Sequence, residues 1–346
     1  MRLLLYEWCC SGGLHGPDAA AVAGDDSPAG LITEGRLMLE ALADDAFQLA
    51  KCEVTLLTDS LLPAASKLCL PVGVRRRKVA GGEELAALLD TARDADAVIL
   101  VAPETAGVLE SRLSLLHAAG IGDRVIGGPK GFVATAADKH ATCGQLAAAG
   151  VPVPAGRTLE AGEQLPVGFR LPAVIKARSS AGCDGLQLLH TATDFQPPAG
   201  PARLEALVPG TPASLACLCG LGGITPLLPL EQLFDGEGMP TFRGLRPLAA
   251  DLRPRAEQLA VRAVEALALG TCSRPRGWVG VDMLMGLRTD GRDDRVIEIN
   301  PRLTTSFVGL RRGQAGGLVR PLLEQAAGRL VPLGPWNETS CELLLP

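Results

Sequence analysis

Across the first 128 residues, short apolar runs alternate with stretches of helical spacing, and that alternation most limits the folds open to this chain. Residues 1–6, 52–58, 72–79 and 97–101 read as strands, while 31–49, 83–91 and 108–118 carry apolar residues at helical intervals. Residues 97–101 are apolar throughout, as a strand covered on both faces must be. Strands alternating with helices build a parallel sheet flanked by helices, so a small doubly wound α/β domain is predicted, ending near Gly128.

At 346 residues and 47% hydrophobic, the chain is long enough for two or three domains with buried cores. A net charge of -5 argues against a sequence-independent nucleic-acid surface, and the run Arg75-Arg76-Arg77-Lys78 reads as a solvated strand edge or loop. The opening apolar run is interrupted by Glu7, which suits neither a secretion signal nor an anchor, and no run of 18 apolar residues follows. Cys9-Cys10 and Cys217-x-Cys219 lack zinc-ribbon spacing. The expectation is a cytoplasmic protein with reduced thiols, no structural metal, and no nucleic-acid or membrane partner.

Chemistry gathers at Val296-Ile297-Glu298-Ile299-Asn300-Pro301-Arg302. Its apolar residues favour a strand, and strand alternation puts Glu298 and Asn300 on one face. Upstream, 278–285 reads as a second buried strand carrying Asp282, and the turn-rich stretch 287–294 joins the two antiparallel. Pairing brings Asp282 beside Glu298 and Asn300. Two carboxylates and an amide oxygen suit magnesium, a hard ion that completes its shell with water and phosphate. Alone, Glu298 would read as a rim residue; the grouping with Asp282, Asn300 and Arg302 argues otherwise.

Lysine is scarce, and none lies beyond Lys176. Lys139 follows Asp138 in a helix predicted over 136–149, which Gly150 and Pro152 stop. Lys176 lies near the end of a strand over 171–177; a small-residue loop, 178–185, leads to a strand over 186–189. A cation on a rigid strand beside exposed backbone N–H groups fits a polyphosphate clamp, with a plain hairpin turn as the bland alternative. Residues 127–131 lack P-loop spacing and read as a linker turn. The loop from Glu7 to Gly13 is either a ligand-contacting loop or a tight turn, and 15–29 reads as a loop. Further strands or helices fall at 214–221 and 256–269, with Arg243 and Arg246 between them.

In this order, Asp138-Lys139, Lys176 with its loop, the stretch Arg203-Leu204-Glu205-Ala206-Leu207-Val208-Pro209-Gly210, Asp282 and Glu298-x-Asn300-Pro301-Arg302 resemble the ATP-grasp ligases. The resemblance runs from Asp138 to the end, and the preceding domain matches the extra N-terminal domain such ligases carry. It implies an α/β, Rossmann-like pre-ATP-grasp domain over 1–128, a lid subdomain over 129–208 and a metal-binding subdomain over 209–346, the latter two α+β and clamping ATP. Lys139, Lys176, Ser180, Gly182, Gly185, Glu205 and Leu207 would bind ATP, with Glu205 and the Leu207 backbone reading adenine. Asp282, Glu298 and Asn300 would hold magnesium, two ions being expected and manganese an acceptable substitute. Lys176 and Arg302 would be catalytic, Arg302 stabilising developing charge. Where many relatives carry a ribose-binding glutamate, this chain has Pro212.

More narrowly, Tyr6-Glu7-Trp8-Cys9-Cys10-Ser11-Gly12-Gly13, Glu34-Gly35, Ala102-Pro103-Glu104 and the run from Asn300 to Ser306 resemble the tyramine-glutamate ligase group of methanofuran biosynthesis. That likeness implies γ-glutamyl amide formation from L-glutamate and a tyramine-like or tyrosine-like amine. Glu7, Ser11, Gly12, Glu34, Thr305, Ser306 and Arg311 would then contact substrate, and a homodimer is expected. A D-alanine-type ligase, a carbamoyl-phosphate-synthase-like relative and a nucleotide-binding regulatory module remain the alternatives.

Overall fold

The protein is described here from a computed structural model covering residues 1–23, 29–62, 67–180, 186–235 and 241–345. Its N-terminal sheet contains β1 (Arg2–Glu7), β2 (Glu53–Asp59), β3 (Arg75–Val79), β4 (Ala97–Val101) and β5 (Val125–Ile126), all parallel, in the order β3-β2-β1-β4-β5. Period-two alternation sends side chains to two cores. Leu3 and Leu5 face α2 (Ala29–Phe47), packing with Met38, Leu39 and Leu42. Leu4 and Tyr6 face the other way, into a core with Leu88 of α3 (Glu84–Asp94) and Leu113 of α4 (Val108–Ala118). The basic run forms the exposed edge strand β3, and its charges keep that edge in water.

A small antiparallel sheet follows, ordered β6-β9-β7-β8, from β6 (Gly156–Leu159), β7 (Ala173–Ala177), β8 (Gln187–Leu189) and β9 (Ala202–Ala206). The third sheet is also antiparallel. It holds β10 (Thr211–Gly220), β11 (Gly223–Pro226), β12 (Leu230–Asp235), β13 (Thr241–Pro247), β14 (Gly277–Met285), β15 (Arg295–Asn300) and β16 (Leu343–Leu344), in the order β15-β14-β10-β12-β13-β16 with β11 beside β10. Along β10, Ala213, Leu215 and Cys217 enter a core with α5 (Lys130–Ala136), α6 (Lys139–Ala148) and α7 (Arg253–Gly270). Ala216 and Leu218 face the opposite way, toward α8 (Ser306–Gly313) and α9 (Val319–Ala326). The C-terminal helices also meet the first domain, because Asp45 of α2 accepts from the Leu318 and Val319 N–H groups at 2.6 and 3.0 Å, satisfying the start of α9.

Three local expectations change. Helix α5 begins within the stretch 127–131 read as a linker turn, taking its last two residues, Lys130 and Gly131. The helix expected from Ala136 starts instead at Lys139, because Asp138 caps it by accepting from the His140 and Ala141 N–H groups at 2.9 and 3.0 Å. A short helix α1 (Ala19–Ala23) forms inside the stretch read as a loop, of which 24–28 lie outside the described residues. No helix among the described residues is long and apolar enough to cross a membrane.

Candidate active site

Strands β14 and β15 pair antiparallel, with Asp282 opposite Glu298 and Gly280 opposite Asn300. The register shifts just after Asp282, a bulge of the kind that re-aims side chains near active sites. Asn300 Nδ2 donates to Asp282 Oδ2 at 3.0 Å, and Gln232 Nε2 from β12 donates to Oδ1 at 3.2 Å. Burial, and then the like charge of Glu298, push the Asp282 carboxyl up to about 6. A cation here would relieve that repulsion. The described residues hold no group of three or more acidic, histidine or cysteine side chains arranged for a metal. Two carboxylates and an amide therefore fit magnesium completed by nucleotide phosphates better than a closed protein cage.

Two buried lysines stand near these strands, one against β15 and one in the small sheet. Lys139, at the start of α6, is buried; its Nζ lies 2.9 Å from Glu298 Oε1 and donates to Ser180 O at 2.7 Å. One lysine thus joins Glu298 to the root of the loop after β7. That root is held further by the Arg178–Asp138 ion pair and by Ser179 Oγ donating to Glu104 O at 3.2 Å.

Lys176 on β7 is buried with Nζ 2.6 Å from Glu205 Oε1, yet the ammonium has no well-formed hydrogen bond among the described residues. A buried ammonium with unused donors fits an incoming phosphate. Glu205 also takes Arg203 Nε at 2.8 Å on its second oxygen. Arg203 in turn donates to Pro154 O at 2.8 Å and to His140 Nδ1 at 2.9 Å. Because a guanidinium only donates, this Nδ1 is the unprotonated acceptor, consistent with burial and neighbouring Arg203 lowering the His140 pKa.

A third group surrounds Arg302. Its Nε donates to Glu104 Oε2 at 2.9 Å, across 198 residues of sequence. Thr305 Oγ1 donates to Glu34 Oε2 at 2.6 Å, so two of the sequence-derived substrate candidates meet. Glu7 is buried and accepts from the Cys10 N–H at 2.8 Å. Burial raises its pKa against these hydrogen bonds and the nearby Arg302 charge. The neighbouring Gly35 has a packing reason: a Cβ there would sit 2.5 Å from the Glu7 carboxyl carbon.

Other candidates go elsewhere. Ser11 is fully buried, with its hydroxyl toward Leu57 O at 3.4 Å, and Gly12 adopts φ +98 beside Val79, so this segment is a packed turn. Arg311 pairs with Asp44 at 3.0 Å, ten residues beyond Glu34 on α2 and therefore about 15 Å along that helix from the Thr305 contact. Ser306 shares a 2.8 Å hydrogen bond with Thr304. The Leu207 N–H donates to Pro172 O at 3.1 Å, so that backbone donor is already occupied, while Pro212 is built into β10 opposite Leu284. Gly182 and Gly185 lie outside the described residues.

Sequence reasoning passed over Gln232, Arg203 and His140. Their spacing carries no metal or nucleotide pattern, and only folding brings them together. Glu104 left a trace, since it follows a wholly apolar strand, where open α/β sheets place ligand-binding residues.

The profile of the family described as ATP-grasp domain matches residues 136–306, and that of the pre ATP-grasp 3 domain matches residues 52–130. A search of curated proteins finds no match. Among solved structures, an ATP-grasp superfamily protein from Archaeoglobus fulgidus aligns with TM-score 0.66 and 21% identity over 96% of this chain and 89% of its own. L-amino acid ligase from Bacillus licheniformis aligns with TM-score 0.62 and 16% identity, over 94% of this chain and 73% of its own. Biotin carboxylase from Campylobacter jejuni gives TM-score 0.68 and 15% identity, over 96% and 73%. At such identities the likeness concerns the fold. With both domain profiles matched in order, the chain belongs to the ATP-grasp superfamily, its ATP-grasp domain preceded by a pre-ATP-grasp domain.

Proposed function

We propose that the protein is an ATP-dependent carboxylate-amine ligase that joins the γ-carboxylate of L-glutamate to a tyramine-like or tyrosine-like amine, in one-carbon cofactor biosynthesis of the methanofuran type. The observation that carries the ligase chemistry is the 2.9 Å contact between Lys139 and Glu298, a buried cation against a carboxylate, which supports reading the first as a phosphate contact and the second as a metal ligand. Lys176 supplies a second buried cation. Asp282, Glu298 and the Asn300 oxygen would hold magnesium, which neutralises phosphate charge when bound.

In the reaction, a carboxylate oxygen of the acid attacks the γ-phosphorus of ATP, ADP departs, and an acyl phosphate forms. The amine nitrogen then attacks the acyl carbon, the carbon–oxygen bond to phosphate breaks, and the nitrogen loses a proton. Lys139 and Lys176 orient the phosphates, while Arg302 stabilises charge developing on the acyl group; the rate comes from positioning and electrostatics.

The substrate pair rests on the likeness of the segments around Glu7, Glu34, Glu104 and Thr305 to tyramine-glutamate ligases, and is supported by the meeting of Thr305 with Glu34. The test is ADP release with mass spectrometry of products, using magnesium-ATP and L-glutamate with and without tyramine, tyrosine and other amines. A γ-glutamyl amide that depends on the amine is the expected result. ADP release with other acids only would discard the substrate pair, and ATP binding without turnover would discard the ligase.

A further inference from the structure

We propose that the crevice at the carboxyl ends of β1 and β4 binds the ammonium group of the acceptor amine, with Glu104 as its principal contact and Glu34 and Glu7 beside it. The assignment rests on the ligase reading above and adds to it the charge of the acceptor and the residue that selects it.

Topology supplies the place. In the order β3-β2-β1-β4-β5 the chain runs outward in opposite directions from β1 and β4, so the loops leaving these neighbours diverge and open a crevice. Glu7 ends β1, and Glu104 lies three residues past the end of β4. The Trp8 N–H donates to Val101 O at 2.9 Å, keeping the two exits side by side. Helix α2 brings Glu34 and packs Gly35 on the Glu7 carboxylate. From the other domain, Arg302 reaches Glu104 Oε2 and Thr305 reaches Glu34 Oε2.

Charge and hydrogen bonding indicate the ligand. Three carboxylates, from Glu7, Glu34 and Glu104, gather near the guanidinium of Arg302. The group therefore has an excess of negative charge. Glu104 is 5% exposed, and its Oε1 is enclosed without a hydrogen-bond partner among the described residues, although Oε2 is satisfied by Arg302. A buried acceptor of this kind calls for a donor, and an ammonium brings three with the complementary charge. A carboxylate ligand would meet repulsion here. The acid substrate is better accommodated on the Arg302 and magnesium side, which leaves the acceptor amine facing Glu104.

The test compares two nucleophiles in wild type and Glu104→Gln, with L-glutamate and magnesium-ATP. Tyramine is a cation at neutral pH and must be held as one before it loses its proton; hydroxylamine is uncharged and traps the acyl phosphate as a hydroxamate. The variant should raise the KM for tyramine about tenfold more than the KM for hydroxylamine, the size expected for one charge-assisted hydrogen bond. Equal shifts for both nucleophiles, or no shift, would overturn the proposal while leaving the ligase reading intact. Neither amide nor hydroxamate from wild type would remove that reading and this one with it. Should Glu104→Gln fail to fold once Arg302 loses its partner, as thermal melting would reveal, Glu34→Gln is read by the same ratio.

Discussion

At the scale of single residues, the site is a set of ion pairs waiting to be exchanged. Lys139 is neutralised by Glu298 and Lys176 by Glu205, so each cation is kept in place while the phosphates are absent. Lys176→Ala should weaken magnesium-ATP binding by about tenfold or more, as expected for a buried charge-assisted contact; calorimetric titration measures it, and unchanged affinity would remove the clamp. Asp282 gives a pH signature. Its folded-state value, about 6, lies above that of an unfolded aspartate. In the metal-free protein its contribution to stability is therefore fully present below about pH 4 and lost as pH rises through about 6. Magnesium requires the ionised form, so affinity for the magnesium-nucleotide should fall as pH is lowered through about 6, by up to about tenfold per unit below it. Affinity that is flat between pH 7.5 and 5 would contradict this. The meeting of Asp282 with Glu298 and Asn300 was legible in sequence because strand alternation fixes Glu298 and Asn300 on one face. Ser11 and Arg311 were misplaced because chemical type alone does not reveal direction: a hydroxyl beside glycines turned inward, and an arginine on α8 found Asp44.

At the scale of elements, boundaries followed caps as much as apolar spacing. Asp138 both starts α6 and holds Arg178 at the root of the loop after β7. Burial works to raise its pKa, but the Arg178 guanidinium and the α6 N–H groups outweigh it and hold the carboxyl below its ordinary range. Asp138→Ala should cost about 1 kcal/mol through the lost cap, and should raise the KM for ATP because Lys139 is the first residue of that helix. Asp138→Asn, which can still cap, should recover most of the stability but less of the nucleotide affinity; equal recovery of both would separate the loop root from ATP binding. The apolar strand β4 was read to the residue. Strands β12 and β13 escaped the sequence reading: both are short and half-exposed, with polar residues where a buried strand would be apolar.

At the scale of the whole molecule, two domains are tied at opposite ends of α2, by Glu34 to Thr305 and by Asp45 to the start of α9. Arg302 and Glu104 make a third tie beside the candidate site. The alternation of elements predicted the parallel sheet of the first domain, but contacts between residues nearly 200 apart leave no local pattern, which is why the pairing of Glu104 with Arg302 emerged only from the fold. The measurement that tests the central claim most directly is isotope transfer. With L-glutamate carrying oxygen-18 in its γ-carboxylate, turnover with magnesium-ATP and the amine should release inorganic phosphate bearing one oxygen-18, because the acyl phosphate breaks at its carbon–oxygen bond. Amide formation with unlabelled phosphate would contradict the account.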